Sequence, residues 1–326
     1  MQVSASRISV PFLLLLGFVF PIPNSFAQAV ADATEQMQEQ EEMTFRAPLE
    51  ADGQLAWKFE EGQSFKVSMN QNTDIEMDLG GQAMGTTTTA VNELSLTIGS
   101  VDADGVASAT NTIDRMVIST KTPMMSFEFD SNNEEDGEGP AASIAQAIRP
   151  MIGQPMTQKM KPNGEISDVQ IPEEALAGIA GGNPQMAGMF SEKTLEDMAT
   201  KSSLVFSEPV QEIGATWNVA ETIDMGPMKV STSTEYTYRG VADIEGKPMH
   251  VIEGDVTMDF PNGGAGGADV EITDQDSKIT FYFDGVAGRM VKSELDQNVS
   301  MSITAAGQKI AQELKQTMTM TITPVE

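Results

Sequence analysis

Residues 65–79 read FKVSMNQNTDIEMDL, and this stretch decides the fold class. Its apolar residues occupy odd positions, which are Phe65, Val67, Met69, Ile75, Met77 and Leu79. Polar residues stand at the even positions between them, from Lys66 to Asp78. A period of two over this length predicts a long strand with one buried and one solvated face. Gly80 and Gly81 follow directly and predict a tight turn.

The residues after this turn predict the return strand and two further strands. The β-branched run 86–89 favours a strand. Apolar residues then occupy even positions, namely Met84, Leu94, Leu96 and Ile98. A turn at 102–105 separates this strand from others predicted near 106–119 and 124–130.

The end of the chain repeats the design. Apolar and polar residues alternate from Val291 to Ile303, a turn is predicted at Ala306 and Gly307, and a return strand follows. That strand carries Ile310, Leu314, Met318, Met320 and Ile322 on one face. Gln71-Asn72 recurs as Gln297-Asn298, and Gly81-Gln82 as Gly307-Gln308, both at an offset of 226 residues.

A second echo, at an offset of 152 residues, relates Gly62, Phe65 and Val67 to Gly214, Trp217 and Val219. We interpret the two echoes as a pair of related β-meanders. Independent hairpins of similar turn chemistry are the alternative, because alternating strands with glycine turns resemble one another.

The middle of the chain has a different pattern. A helix is predicted from Pro140, with Ile144, Ile148 and Met151 on one face. Pro162-Asn163-Gly164 predicts a short hairpin. Residues 173–179 and 191–202 are predicted to be helical, with Ser191 as the N-cap of the second helix.

These patterns predict a mainly β (α+β) fold, in which long antiparallel β-meanders form two related halves with a helical insert. The halves would pack as a sandwich or curl into an open half-barrel. One domain is expected over residues 53–326. It comprises a first β half at 53–139, the insert at 140–202 and a second β half at 203–326.

The first 27 residues are typical of a secretory signal peptide. Arg7 precedes a short apolar run at 8–20, and the small residues Ser25 and Ala27 predict cleavage after Ala27. The apolar run is shorter than the roughly 20 residues that a membrane span needs, and no later segment is apolar enough to span a bilayer. We therefore expect export to the bacterial periplasm or beyond the cell. Residues 28–52 carry seven acids against Arg46 alone and are predicted to form a disordered, solvated linker.

Several short motifs give the chain a resemblance to a known family. They are the opening Trp57-Lys58-Phe59 with Gly62 and Phe65, the turn 162–166, the motif 214–217 and the closing Thr/Met-rich hairpin. Together they resemble a family of exported bacterial β-rich proteins with a domain of unknown function, over roughly 55–323. The resemblance implies export and one continuous domain, and it implies no activity, cofactor or catalytic residue.

Composition excludes several classes of function. The chain of 326 residues has no Cys, which excludes disulfides and thiolate chemistry. Its net charge of −29 argues against nucleic acid and anionic lipid as partners. His250 is the only histidine and shares parity with Ile252 and Val256, which indicates a core or edge residue. A carboxylate-based hydrolase is the remaining catalytic alternative, and we expect no enzyme and no cofactor.

Two groups of residues are candidate binding sites. Asp130, Glu134, Asp136 and Glu138 are weak candidates for a divalent cation, but the stretch lacks the glycine and the final glutamate of an EF-hand. A solvated acidic loop is the simpler interpretation, and no metal site is predicted. The 23 Met residues favour core packing over a flexible apolar surface or a copper site.

The sequence thus predicts a non-catalytic cell-envelope protein that binds an apolar small molecule or an envelope protein. A structural or interaction module with a solid core is the alternative. The sequence does not fix the oligomeric state.

Overall fold

The computed structural model describes residues 43–325 except 79, 82, 134–138, 177–190, 202–203, 207–211, 225–228, 262, 265–267 and 306. Twelve strands in this part of the chain form one antiparallel sheet. Their bounds are β1 Ser64–Asp78, β2 Ala83–Val101, β3 Ala107–Lys121, β4 Ser126–Asp130, β5 Pro155–Met160, β6 Ile166–Gln170, β7 Thr216–Asp224, β8 Lys229–Ile244, β9 Lys247–Asp259, β10 Asp269–Asp284, β11 Arg289–Ala305 and β12 Gln308–Pro324.

The two halves lie side by side in this sheet. The strand order is β6-β5-β3-β2-β1-β12-β11-β10-β9-β8-β7, and β4 pairs with β3 off this path. The first and the last strand of the chain join the halves, with Phe65 opposite Pro324 and Asp78 opposite Ala311. The mainly β class and the long antiparallel meanders are confirmed, and the halves form a single open sheet.

The sheet is strongly curved. Trp57 N–H donates to Pro162 O at 2.8 Å, in the β5–β6 turn, and Lys58 N–H donates to Gly288 O at 2.9 Å, in the β10–β11 turn. Five strands separate β5 from β10 in the sheet order. In a flat sheet these strands would lie about 29 Å apart at the usual spacing. Two consecutive residues reach both turns, so the sheet bends and its inner face is concave.

The inner face carries the core. In β12, for example, the side chains at even positions from 312 to 318 are buried and those at odd positions are exposed. Residues 204–206 cross this face and are buried against it. The Phe206 and Phe283 rings meet edge to face at 5.4 Å, and Trp57 Nε1 donates to Leu204 O at 3.1 Å. Gly164 has φ +90°, and a Cβ there would lie 2.1 Å from Leu204 O, so only glycine fits the crossing.

The described part of the insert contains the helices α1 at Pro140–Ile148 and α2 at Glu192–Lys201. Ser191 Oγ accepts the Thr194 N–H at 3.2 Å, which confirms Ser191 as the N-cap of α2. Residues 173–176 are helical, and the rest of the helix predicted at 173–179 lies outside the described residues. Within the described ranges, no helix is long and apolar enough to cross a membrane.

The N-terminal residues 43–52 differ from the solvated linker that the sequence predicts. Arg46 and Val241 exchange two backbone hydrogen bonds of 2.9 Å, and Phe45 packs against a small apolar cluster with Met249 and Tyr282. The Asp52 side chain is buried and accepts a hydrogen bond from the Arg46 guanidinium. This pairing offsets the free-energy cost of burying a carboxylate. The predicted signal peptide, its cleavage after Ala27 and residues 28–42 lie outside the described residues.

Candidate functional site

A row of polar side chains crosses the inner face. Directly opposite residues link Ser277 to Gln297, Gln297 to Gln316 and Gln316 to Thr73 across four neighbouring strands. Eight buried polar side chains lie in or beside this row, and we call them the polar belt. They are Gln71, Thr73, Asn92, Thr120, Thr234, Ser277, Gln297 and Gln316. Buried polar groups of proteins are normally hydrogen-bonded, so such a row needs an explanation.

Four belt side chains hold a buried polar atom that lacks a hydrogen-bond partner within the structure. These atoms are Gln71 Oε1, Asn92 Oδ1, Ser277 Oγ and Gln297 Nε2. By contrast, Gln71 Nε2 donates to Thr73 Oγ1 at 3.0 Å. Each unmet group costs about 1–3 kcal/mol of stability. The belt therefore combines a buried position with unused hydrogen-bonding capacity.

Two apolar clusters flank the belt along the strands. The first cluster includes Phe206, Phe283, Leu295 and Met318. The second cluster includes Leu195, Met198, Met258, Val299 and Met301. Residues 204–206 pack into the first cluster and α2 packs into the second, so the insert and the segment after it cover the inner face on both sides of the belt.

Several of the described methionines lie in the core, as predicted, whereas Met124 and Met125 are exposed. Met69, Met290 and Met318 are buried in the first cluster, and Met198, Met258 and Met301 in the second. Unbranched thioether side chains fill irregular spaces, which suits a curved sheet packed against a short helix.

His250 is a buried core residue, as its parity with Ile252 indicates. Its Nδ1 shares a hydrogen bond of 2.7 Å with the Tyr238 hydroxyl, and its Nε2 lies 3.3 Å from Asp52 O. Burial lowers the pKa of His250 and raises that of Tyr238 to about 12. The ring is therefore neutral at pH 7 and ties the N-terminal segment to the sheet.

The pKa of the Asp52 carboxyl is shifted by its contact with Arg46. Arg46 Nη2 donates to Asp52 Oδ1 at 2.7 Å, and this guanidinium holds the pKa of Asp52 down at about 2. The unfolded pKa is higher, so the pair stabilises the fold above about pH 4, and this contribution disappears as the pH falls towards 2.

Replacing Arg46 by Gln is expected to lower the free energy of unfolding by about 2 kcal/mol at pH 7, because a buried carboxylate loses its partner. Urea unfolding of both proteins from pH 7 to pH 2 should show this difference shrinking below pH 4. Lys161→Gln, which breaks an exposed pair with Glu165 away from residues 43–52, serves as the control and should cost less than about 1 kcal/mol. An undiminished difference at pH 2 would contradict the assignment to Asp52.

Of the four acidic residues that are weak candidates for a divalent cation site, the structure describes only Asp130. Asp130 receives two hydrogen bonds from Arg115, with Nη2 to Oδ2 at 2.7 Å. Its carboxylate is therefore held by a cation of the chain itself. Glu134, Asp136 and Glu138 lie outside the described residues. Across the described part of the chain, no group of three or more acidic or histidine side chains has metal-binding geometry.

The middle of the chain matches a known protein family. Residues 104–262 match the Family of unknown function (DUF6263). The DUF6263 segment runs from just before β3 to just after β9, so it contains the insert and the strands β6 and β7, which α2 contacts. The match confirms the predicted resemblance to a family without an assigned activity, over a shorter part of the chain than 55–323. No curated protein matches the chain.

Several solved structures show a distant likeness. One is lipovitellin, described for its lipid–protein interactions, at 12% identity and TM-score 0.43, with 80% of this chain and 25% of that chain covered. Another is the COG4313 outer membrane channel from Pseudomonas putida F1, at 8% and 0.22, with coverage of 82% and 97%. A third is the hypothetical lipoprotein YmcC from Escherichia coli K12, at 10% and 0.20, with coverage of 75% and 85%. The chain thus spans a quarter of the lipovitellin length, and none of these scores identifies a function.

Proposed function

We propose that this protein is an exported, non-catalytic protein of the bacterial cell envelope, which binds an apolar ligand with hydrogen-bonding groups on its inner face. The observation that carries the proposal is the polar belt between two apolar clusters. Export rests on the predicted signal peptide.

The belt gives the ligand its chemistry. A hydroxyl, carbonyl or amide placed along Gln71, Ser277 and Gln297 would supply partners to atoms that lack them. Each satisfied group would remove a penalty of about 1–3 kcal/mol. The apolar parts of the same molecule would lie against the two clusters, where burial contributes about 25 cal/mol per Å².

The ligand reaches the belt only after part of the cover has moved, because the belt atoms are buried. The helix α2 is the element best suited to move. Its two large apolar side chains, Leu195 and Met198, are buried, and Thr194 and Lys201 donate hydrogen bonds to β7 carbonyls. Burial of two such side chains contributes about 3–6 kcal/mol, which is comparable with the gain that partners for the belt would bring.

Native mass spectrometry of the mature protein, purified from the envelope fraction without detergent, tests this proposal. We expect a discrete mass excess that disappears on denaturation. Gln297→Met should abolish the excess, because it removes the belt amide at nearly constant volume. Gln312→Met, at another buried glutamine of the same face outside the belt, should retain it. A bare apo mass for the wild type would contradict the proposal and favour the alternative, a structural module with a solid core.

A further inference from the structure

Strands β9 and β10 are paired over only part of their length. Their ladder runs from His250 opposite Phe283 to Asp255 opposite Lys278. Beyond it, β9 continues to Asp259 paired with β8, and β10 begins at Asp269 paired with β11. We call this opening, between residues 256–259 and 269–277, the fork. Residues 260–268 connect the two strands at this end, and within the described structure neither side of the fork pairs with another strand.

A cleft of about 840 Å³ is lined by the fork together with residues 220–222 of β7 and 231–233 of β8. Its apolar side chains, Met258, Val270 and Ile272, point to the inner side and belong to the second cluster or pack against it. Three acidic side chains of the fork that line the cleft, Asp259, Asp269 and Glu271, are exposed, and Glu221 of β7 is a fourth acidic lining residue. The pleat of the two strands thus gives the cleft an apolar inner side and an acidic outer side.

The Gln275 side chain makes a hydrogen bond that a neighbouring strand would otherwise make. Gln275 Oε1 accepts the backbone N–H of Met258 at 2.8 Å, across the fork. A side-chain amide carbonyl therefore occupies the place that the peptide carbonyl of a neighbouring strand would take in a ladder. The Met258 N–H is thus directed into the fork, and the carbonyl of an inserted strand would replace Gln275 Oε1 as its acceptor.

The charge of the fork selects among occupants. Asp259, Asp269 and Glu271 form no ion pair with any other residue that the structure describes. The sequence at 28–42 has five acids and no basic residue, and the whole chain has a net charge of −29. Charge repulsion therefore disfavours both this tail and a second copy of the chain as the occupant.

We propose that the fork binds an extended basic segment of a partner protein by strand insertion. The inserted segment alternates apolar residues, which meet Met258 and Ile272, with Lys or Arg residues, which meet Asp269 and Glu271. The four-residue edge of β9 corresponds to about 13 Å, so the inserted core is four to six residues long. Main-chain hydrogen bonds supply the affinity, and the alternation supplies the specificity.

A capped hexapeptide of alternating Lys and Val, labelled for fluorescence anisotropy, is the probe. We expect binding that is at least about tenfold tighter than that of a peptide with the same six residues in two blocks. N-methylation of alternate peptide bonds should abolish binding, because it removes the ladder hydrogen bonds. Bound peptide should also slow amide hydrogen exchange at 256–258 and 270–277.

Charge variants of the full chain locate the site. Asp269→Asn with Glu271→Gln is expected to weaken binding about tenfold at low salt. Glu76→Gln with Glu313→Gln makes the same charge change at exposed, opposed positions of β1 and β12 and should leave affinity unchanged. All four side chains are exposed, so circular dichroism should show native folding for both variants.

Three results would overturn the inference. Equal binding of the alternating and block peptides would indicate general attraction to an acidic surface. Unimpaired binding of the N-methylated peptide would exclude strand pairing. Concentration-dependent dimers in sedimentation velocity, lost in the Asp269→Asn and Glu271→Gln variant, would identify a second copy as the occupant.

Discussion

Replacing Phe283 by Ala is expected to lower the free energy of unfolding by about 3–5 kcal/mol. Phe283 is fully buried in β10, and its ring meets both Trp57 and Phe206 edge to face at 5.4 Å. The truncation therefore leaves a cavity where the N-terminal segment and residues 204–206 meet the sheet. Chemical unfolding followed by Trp fluorescence measures the loss.

Phe127→Ala is the matched control for this experiment. Phe127 lies in the short strand β4 and is half-buried, so the same truncation should cost less than about 2 kcal/mol. An equal loss for the two variants would show that residues 204–206 and Trp57 do not depend on Phe283 for their position. In both variants the unfolding free energy should fall with denaturant concentration at the same slope as in the wild type. An unchanged slope would show that both variants unfold from the same folded state.

Much of the fold could be predicted because hairpins are local. The alternation at 65–79 and at 291–303, together with their glycine turns, predicts β1, β2, β11 and β12 without knowledge of other strands. The curvature could not be predicted in this way. It depends on contacts such as Trp57 with Pro162 and Lys58 with Gly288, which join residues remote in sequence.

The polar belt is visible in the sequence only when the register of the strands is known. Gln71 and Thr73 interrupt the apolar positions of β1, Gln297 interrupts those of β11, and Gln316 those of β12. Taken singly, each interruption resembles an ordinary polar residue in a strand. Only the pairing of Gln297 with Gln316, and of Gln316 with Thr73, shows that the interruptions coincide. The echo of Gln71 at Gln297 was the nearest hint, because both side chains lie in the belt.

The fork was not predictable from alternation, because the same pattern continues on both sides of the point where β9 and β10 separate. The irregularity that accompanies the separation is a bulge between Ile272 and Asp274 of β10, opposite the β11 pair Ser300 and Met301. A bulge twists and bends its strand. It depends on the partner strand, and a single sequence does not reveal that partner.

Combining Gln297→Met with Ser277→Ala is expected to raise the free energy of unfolding by about 2–4 kcal/mol. The two side chains face each other across β10 and β11, and each holds a buried polar atom without a partner. Apolar replacements of similar shape remove two desolvation penalties without opening a large cavity. Urea unfolding at neutral pH measures the gain, and native mass spectrometry of the same sample should show that the bound mass is lost.

Thr73→Val separates this effect from the general response of a core to apolar substitution. Thr73 Oγ1 accepts a hydrogen bond from Gln71 Nε2, so its loss is expected to destabilise the protein by about 1 kcal/mol or more. Opposite signs for the two variants would mean that the belt carries a stability cost, as expected for a surface that function retains for a ligand. A destabilised double variant would instead mean that Ser277 and Gln297 already stabilise the empty protein, and the inner face would then be a structural core.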